Sequence, residues 1–179
     1  MGFFLLSGAT LAVPAAASAP AAPAPTYTVT LTGYNAVPGQ TDDNPFETAS
    51  GAYSNPEIIA ARSQDMGTEL PFGTIVAIEA PAEDGETCGY HVVSGLIGYR
   101  VIEDTMNARY KQYVDVLLPT DRFVTHTDGR KENVASVLGV CKGVTVRVVG
   151  HLDPVHTDLL PKTQAELAAI VEHSPLALK

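Results

Sequence analysis

Strict alternation from residue 26 to residue 32 sets Tyr27, Val29 and Leu31 on one face of an extended segment and four threonines on the other. Successive side chains of a strand point to opposite faces, so a period of two marks a half-buried strand. Five further short segments, 74–79, 90–93, 99–103, 113–118 and 144–149, are rich in β-branched or aromatic residues and bounded by turn formers. Residues 81–85, with two acids and a glycine, would turn the chain between the first two of these. Six short strands with little helix between them argue for an all-β class with minor α content, built as a small closed barrel rather than as a parallel sheet with crossover helices. Two helices are expected: one over 131–138, after the Asp128-Gly129 turn, and one opened by the capping-box pattern Thr163-Gln164-Ala165-Glu166, with Leu167, Ile170 and Val171 on one face. Residues 35–57 are rich in Gly, Pro, Asn, Asp and Ser without sustained period, and a surface loop of that length inside a compact domain is usually functional.

The organisation around that barrel follows from composition. A chain of 179 residues, 45% hydrophobic, suffices for one domain of ordinary size. Residues 1–19 are uncharged and end in small residues, which reads as a secretory signal. Crossing a bilayer takes about twenty apolar residues and Pro14 interrupts this run, so the alternative of a membrane anchor is the weaker one. Residues 20–25 read as a Pro/Ala-rich tether, 26–150 as the barrel domain, and 151–179 as a loop and helix packed against it. No span remains in the membrane after processing, and a monomer in the secreted or cell-envelope space is expected. Twenty acidic against eleven basic residues give a net charge of -9, which repels a phosphate backbone and argues against nucleic acid as a partner. Two cysteines, Cys88 and Cys141, are too few for a zinc site; in an oxidising compartment they would form one disulfide, and otherwise two buried thiols.

Two acids stand in apolar strands. Glu103-Asp104-Thr105 ends one, and Asp115 sits in the middle of Tyr113-Val114-Asp115-Val116-Leu117-Leu118, sharing a face with Tyr113 and Leu117. Such surroundings penalise the charged form, so the carboxyl would hold its proton long enough to act as a general acid. The plain alternative is that Asp115 caps a loop amide or pairs with Arg109 or Lys111. His151-Leu152-Asp153-Pro154-Val155-His156 offers two imidazoles and a carboxylate, but Pro154 breaks the helix that would align them. Thr41-Asp42-Asp43-Asn44-Pro45 has the composition of a calcium loop without its spacing. No metal or organic cofactor is therefore expected.

Four strings in order, Thr48-Ala49-Ser50-Gly51, Leu70-Pro71-Phe72-Gly73-Thr74, Glu103-Asp104-Thr105 and Val114-Asp115, resemble the three-aspartate domain, a family of double-psi β-barrels. The resemblance runs from about Tyr27 to Val149. The family includes the C-terminal part of membrane-bound lytic transglycosylase A and cell-wall proteins related to resuscitation factors. The resemblance implies a six-stranded double-psi barrel whose second and third aspartates, here Asp104 and Asp115, lie in a peptidoglycan-binding groove. It makes Asp115 the catalytic acid of glycosidic cleavage by the lytic transglycosylase route, with Asp104 as its helper. Tyr34, Thr48, Ser50, Gly51, Thr105 and Asn107 would then hold the glycan. Ser63 stands where the family places its first aspartate, Asp65 lies two residues on, and residues 106–110 lack the family's usual glycines. A non-catalytic peptidoglycan-binding module and a scaffold for a protein partner are the rival expectations, since fold alone does not fix function.

Overall fold

The computed structural model describes residues 23–41, 44–81, 88–153 and 157–174. The expected signal segment, residues 42–43 of the Asp-rich loop, the turn at 82–85 and residues 154–156 of the histidine-bearing string lie outside them.

Among the described residues eight strands and three α-helices follow one another: β1 Thr26–Tyr34, β2 Ile59–Arg62, β3 Thr74–Glu79, α1 Tyr90–Ile97, β4 Tyr99–Thr105, β5 Tyr113–Leu117, β6 Phe123–Thr125, β7 Lys131–Asn133, α2 Val134–Leu138, β8 Cys141–His151 and α3 Gln164–Glu172. Six of the strands close a barrel in the order β1-β5-β2-β4-β3-β8, with β6 and β7 forming a separate hairpin. The pairs β1·β5 and β2·β4 are parallel and the others antiparallel. Parallel neighbours require crossover connections. Two such crossings occur within this one six-stranded barrel.

The barrel matches expectation in strand number but not in membership. Residues 90–93 are the first turn of α1, not a strand. Tyr90, Val93 and Ile97 are buried at helical spacing while Val92 is 61% exposed, so the period is helical once the window reaches Ile97. The missing barrel strand is β2, whose Ile-Ala-Ala-Arg sequence has weak strand propensity yet is almost wholly buried. The helix expected over 131–138 begins only at Val134, where the Asn133 side chain accepts a hydrogen bond from the Ala135 amide; residues 131–133 pair with β6 instead.

The barrel wall separates two apolar clusters. Inside, Val29 and Leu31 of β1 meet Ala60, Val76, Ile102, Val114, Val116, Val144 and Val146, and α1 and α2 close the cluster through Tyr90, Ile97 and Leu138. Outside, Tyr34, Ile59, Ala61, Ile75, Val101, Leu117 and Val149 are covered by residues that include Ile58 and, from α3, Leu167 and Val171. Thr163 caps α3 as expected, its hydroxyl accepting from the Glu166 amide at 3.2 Å, but Ile170 stays 37% exposed. Cys88 and Cys141 are joined in a disulfide that ties the entry of α1 to the start of β8. Arg100 is the largest fully buried side chain among the described residues; its guanidinium donates to the carbonyls of Leu96, Ile97, Pro56, Ile59 and Leu117, binding helix, loop and two strands together. Burial lowers its pKa to about 9, which still leaves it charged at neutral pH. Among the described residues no helix is long and apolar enough to cross a membrane.

Candidate functional site

Strand register places the two aspartates on the same outer patch. Thr32 of β1 pairs with Asp115 of β5, Asp115 with Ala61 of β2, and Ala61 with Asp104 of β4. The four residues form one row across four adjacent strands, with an alanine as the floor between the carboxyls. Two strand spacings separate the aspartate Cα atoms by roughly 10 Å.

Asp104 reaches that row through a bulge. Ala60 pairs with Ile102 but Ala61 pairs with Asp104, leaving Glu103 as the extra residue. A register change of one residue turns a side chain to the opposite face of a strand, so without the bulge Asp104 would point into the barrel. Glu103 absorbs the cost. It is fully buried and neither carboxyl oxygen has a hydrogen-bond partner; Ser50 and the Gly73 amide are near but outside bonding geometry. Burial raises its pKa, favouring the neutral carboxyl over a buried charge.

The environments of the two aspartates differ. Asp104 is surrounded by donors: Tyr34 Oη gives to Oδ2 at 2.9 Å, and the amides of Ala49 and Thr105 give to Oδ1 at 3.0 and 2.8 Å. Asp115 accepts from Thr32 Oγ1 at 2.9 Å. Burial is the main cause that lifts its pKa from 3.8 to about 7; the Thr32 bond opposes the rise and the nearby Asp104 charge adds to it. It pairs with neither Arg109 nor Lys111, so that alternative fails. The Tyr34 hydroxyl is likewise raised, first by burial and then by Asp104 beside it, and stays protonated as a donor.

A groove of about 750 Å³ opens over this row. Tyr34, Thr105 and Asn107 line it, as expected, together with Asp104 and Asp115. Thr48, Ser50 and Gly51 do not. Thr48 is buried, with its hydroxyl accepting from the Ala52 amide and 3.0 Å from Ser50 Oγ, and Gly51 has a φ of 86°. They shape a tight turn whose contribution to the site is indirect: it aims the Ala49 amide at Asp104, and the Ser50 amide bonds the Glu103 carbonyl at 3.1 Å. The loop 35–57 is thus a wall of the groove, contributing Gly39, Gln40, Thr41, Glu47 and Ala49.

Ser63 and Asp65 do not line the groove. Ser63 is fully buried and its Oγ accepts from the Tyr113 amide at 3.0 Å, fixing the start of β5. Asp65 accepts from the Gln112 amide at 3.1 Å, and the Ser63 hydroxyl bond is the first cause holding its pKa below the ordinary value. Both therefore support the segment that carries Asp115 from below.

Sequence reading missed an aromatic strip. Tyr113 and Tyr110 both line the groove, their ring centroids 5.2 Å apart and tilted, and Arg109 lies over Tyr110 at 4.8 Å from its ring. The available signal was the position of Tyr113, two residues before Asp115 on the same face. Comparison with protein-family models, with curated proteins and with solved structures found no match.

Proposed function

We propose that this protein is a secreted enzyme that cleaves peptidoglycan glycan strands by the lytic transglycosylase route, with Asp115 as its single acid and base. One observation carries the reading: Asp115 is held half-buried at the floor of an open groove, where burial lifts its pKa to about 7, beside a second carboxylate fixed by three donors. A group of that proton affinity is protonated often enough at neutral pH to give its proton and basic enough to take one back.

The chemistry needs no water. Asp115 donates its proton to the glycosidic oxygen as the C1–O bond breaks, and the freed sugar leaves with a hydroxyl. The C6 hydroxyl of the muramoyl residue then attacks C1, closing a 1,6-anhydro ring, and its proton returns to the Asp115 carboxylate. Asp104 stabilises the positive charge that develops on the ring between the two steps. The disulfide supports an oxidising compartment and so the exported location.

The Tyr110–Tyr113 strip and the serine at the place of the first aspartate favour a second reading, a peptidoglycan-binding module without turnover. Incubation with purified peptidoglycan, followed by mass analysis of the soluble products beside an Asp115→Asn control, separates the two. Anhydro-muramoyl products from the wild type alone support the enzyme, and their rate should fall as pH rises past about 7, where Asp115 loses its proton. Co-sedimentation with the polymer without soluble products leaves the binding module.

A further inference from the structure

Resting on that glycan reading, we infer that Arg109 is a specificity residue that recognises a carboxylate carried by the sugar, so that the groove selects acidic muramoyl units over neutral N-acetylglucosamine. Among the described residues that line the groove Arg109 is the single cation, facing a site that also contains Glu47, Asp104 and Asp115. None of these acids neutralises it. Its backbone amide donates to Asn107 Oδ1 at 3.1 Å, and its side chain makes one donation, from Nη2 to Tyr110 Oη at 2.9 Å.

That second bond and the stacking over Tyr110 fix the guanidinium plane while leaving most of its N–H fork unused. A planar fork with free donors matches a carboxylate, and this one is ordered before any ligand arrives. The position suits such a role. From Asp115 the groove floor runs to Tyr113, two residues back on β5, then to the Tyr110 ring, then to Arg109. A pyranose stacked on the tyrosine pair would place its ring substituents toward the cation, and on a muramoyl unit whose lactyl group is not amide-linked to a stem peptide the lactyl carboxylate is the substituent that distinguishes it from its neutral partner. In a chain of net charge -9 an anionic sugar is otherwise repelled, so one placed cation decides whether it is accepted.

The test is calorimetric binding of two probes to the full protein: the N-acetylglucosaminyl-N-acetylmuramic acid disaccharide with its lactyl carboxylate free, and chitobiose, which is neutral. The wild type should prefer the charged disaccharide by about tenfold, the scale of one charge-assisted contact, and the preference should shrink as salt is raised. Arg109→Gln should bring the ratio to about one, and Arg109→Lys, which keeps charge but loses the fork, should fall between. Arg109 is exposed, so an unchanged melting temperature confirms that each variant is folded. A preference that survives in Arg109→Gln, or a wild type that binds both probes equally, overturns the assignment of Arg109 while leaving glycan binding intact. Binding of neither probe overturns the glycan reading as well.

Discussion

Replacing Asp115 by asparagine should make the protein more stable, by an amount that is absent in acid and grows to its full size at neutral and alkaline pH. The amide keeps the shape of the neutral carboxyl and an oxygen for Thr32 Oγ1, but it can never carry the buried charge. The wild-type carboxyl has its pKa raised from 3.8 to about 7 by folding, so the folded chain holds a proton that the unfolded chain releases between those values. Stability must therefore fall as pH rises through that window, being unaffected below 3.8 and fully penalised above 7. At about 1.36 kcal/mol for each tenfold change in proton affinity, the full penalty is about 4 kcal/mol. The side chain lines an open groove, and water there reduces the cost to about 2 kcal/mol. Urea unfolding of both proteins should give equal free energies near pH 4 and a gap of about 2 kcal/mol in favour of Asp115→Asn at about pH 8.5. Equal stabilities at that higher pH would refute the claim that Asp115 is held against its own desolvation. Under the proposed enzymatic function, loss of turnover together with gain of stability would be the signature of a site strained for function.

Arg100→Met would strip five carbonyls of this donor, in three buried and two part-buried bonds, and should cost at least about 3 kcal/mol, with Arg100→Lys intermediate, measured as a shift of the urea midpoint. Gly73→Ala should unfold the domain or lower its melting temperature sharply: Gly73 has a φ of 86°, and an added Cβ would sit 2.2 Å from the Leu152 carbonyl oxygen. Reducing the Cys88–Cys141 bridge, which spans a sequence separation of 53, should destabilise the chain by about 4 kcal/mol, seen as a lower melting temperature in the presence of a thiol-free reductant.

Local pattern made legible those parts of the fold whose residues answer to local rules. The alternation of β1, the apolar face of β5 and the cap of α3 were each visible in the sequence because period and cap are short-range properties. β2 was not visible, because Ile59-Ala60-Ala61-Arg62 becomes a strand by sitting between β4 and β5, and small alanines are favoured there by the crowding of neighbours rather than by propensity. The same limit applies to the site. Asp104 and Asp115 could be picked out as acids in apolar strands, whereas Tyr110 and Arg109 lie in a connection with no period, and their role depends on where that connection folds.

The bulge at Glu103 unites these observations. In an unbroken ladder, an acid that follows Val101-Ile102-Glu103 alternates to the inner face and would be buried among Ala60, Val114 and Val116. The extra residue reverses that alternation from Asp104 onward, and the disfavoured position passes to Glu103, which stays buried without a bonding partner. The Thr48–Gly51 turn then secures the displaced strand, with the Ser50 amide on the Glu103 carbonyl and the Ala49 amide on the Asp104 carboxylate. The three consecutive residues of Glu103-Asp104-Thr105 thus act together. Glu103 takes the desolvation cost, Asp104 faces the groove, and Thr105 supplies an amide to hold it. A sequence motif of adjacent polar residues at a strand end is here the trace of a bulge rather than of three equivalent groove-facing side chains.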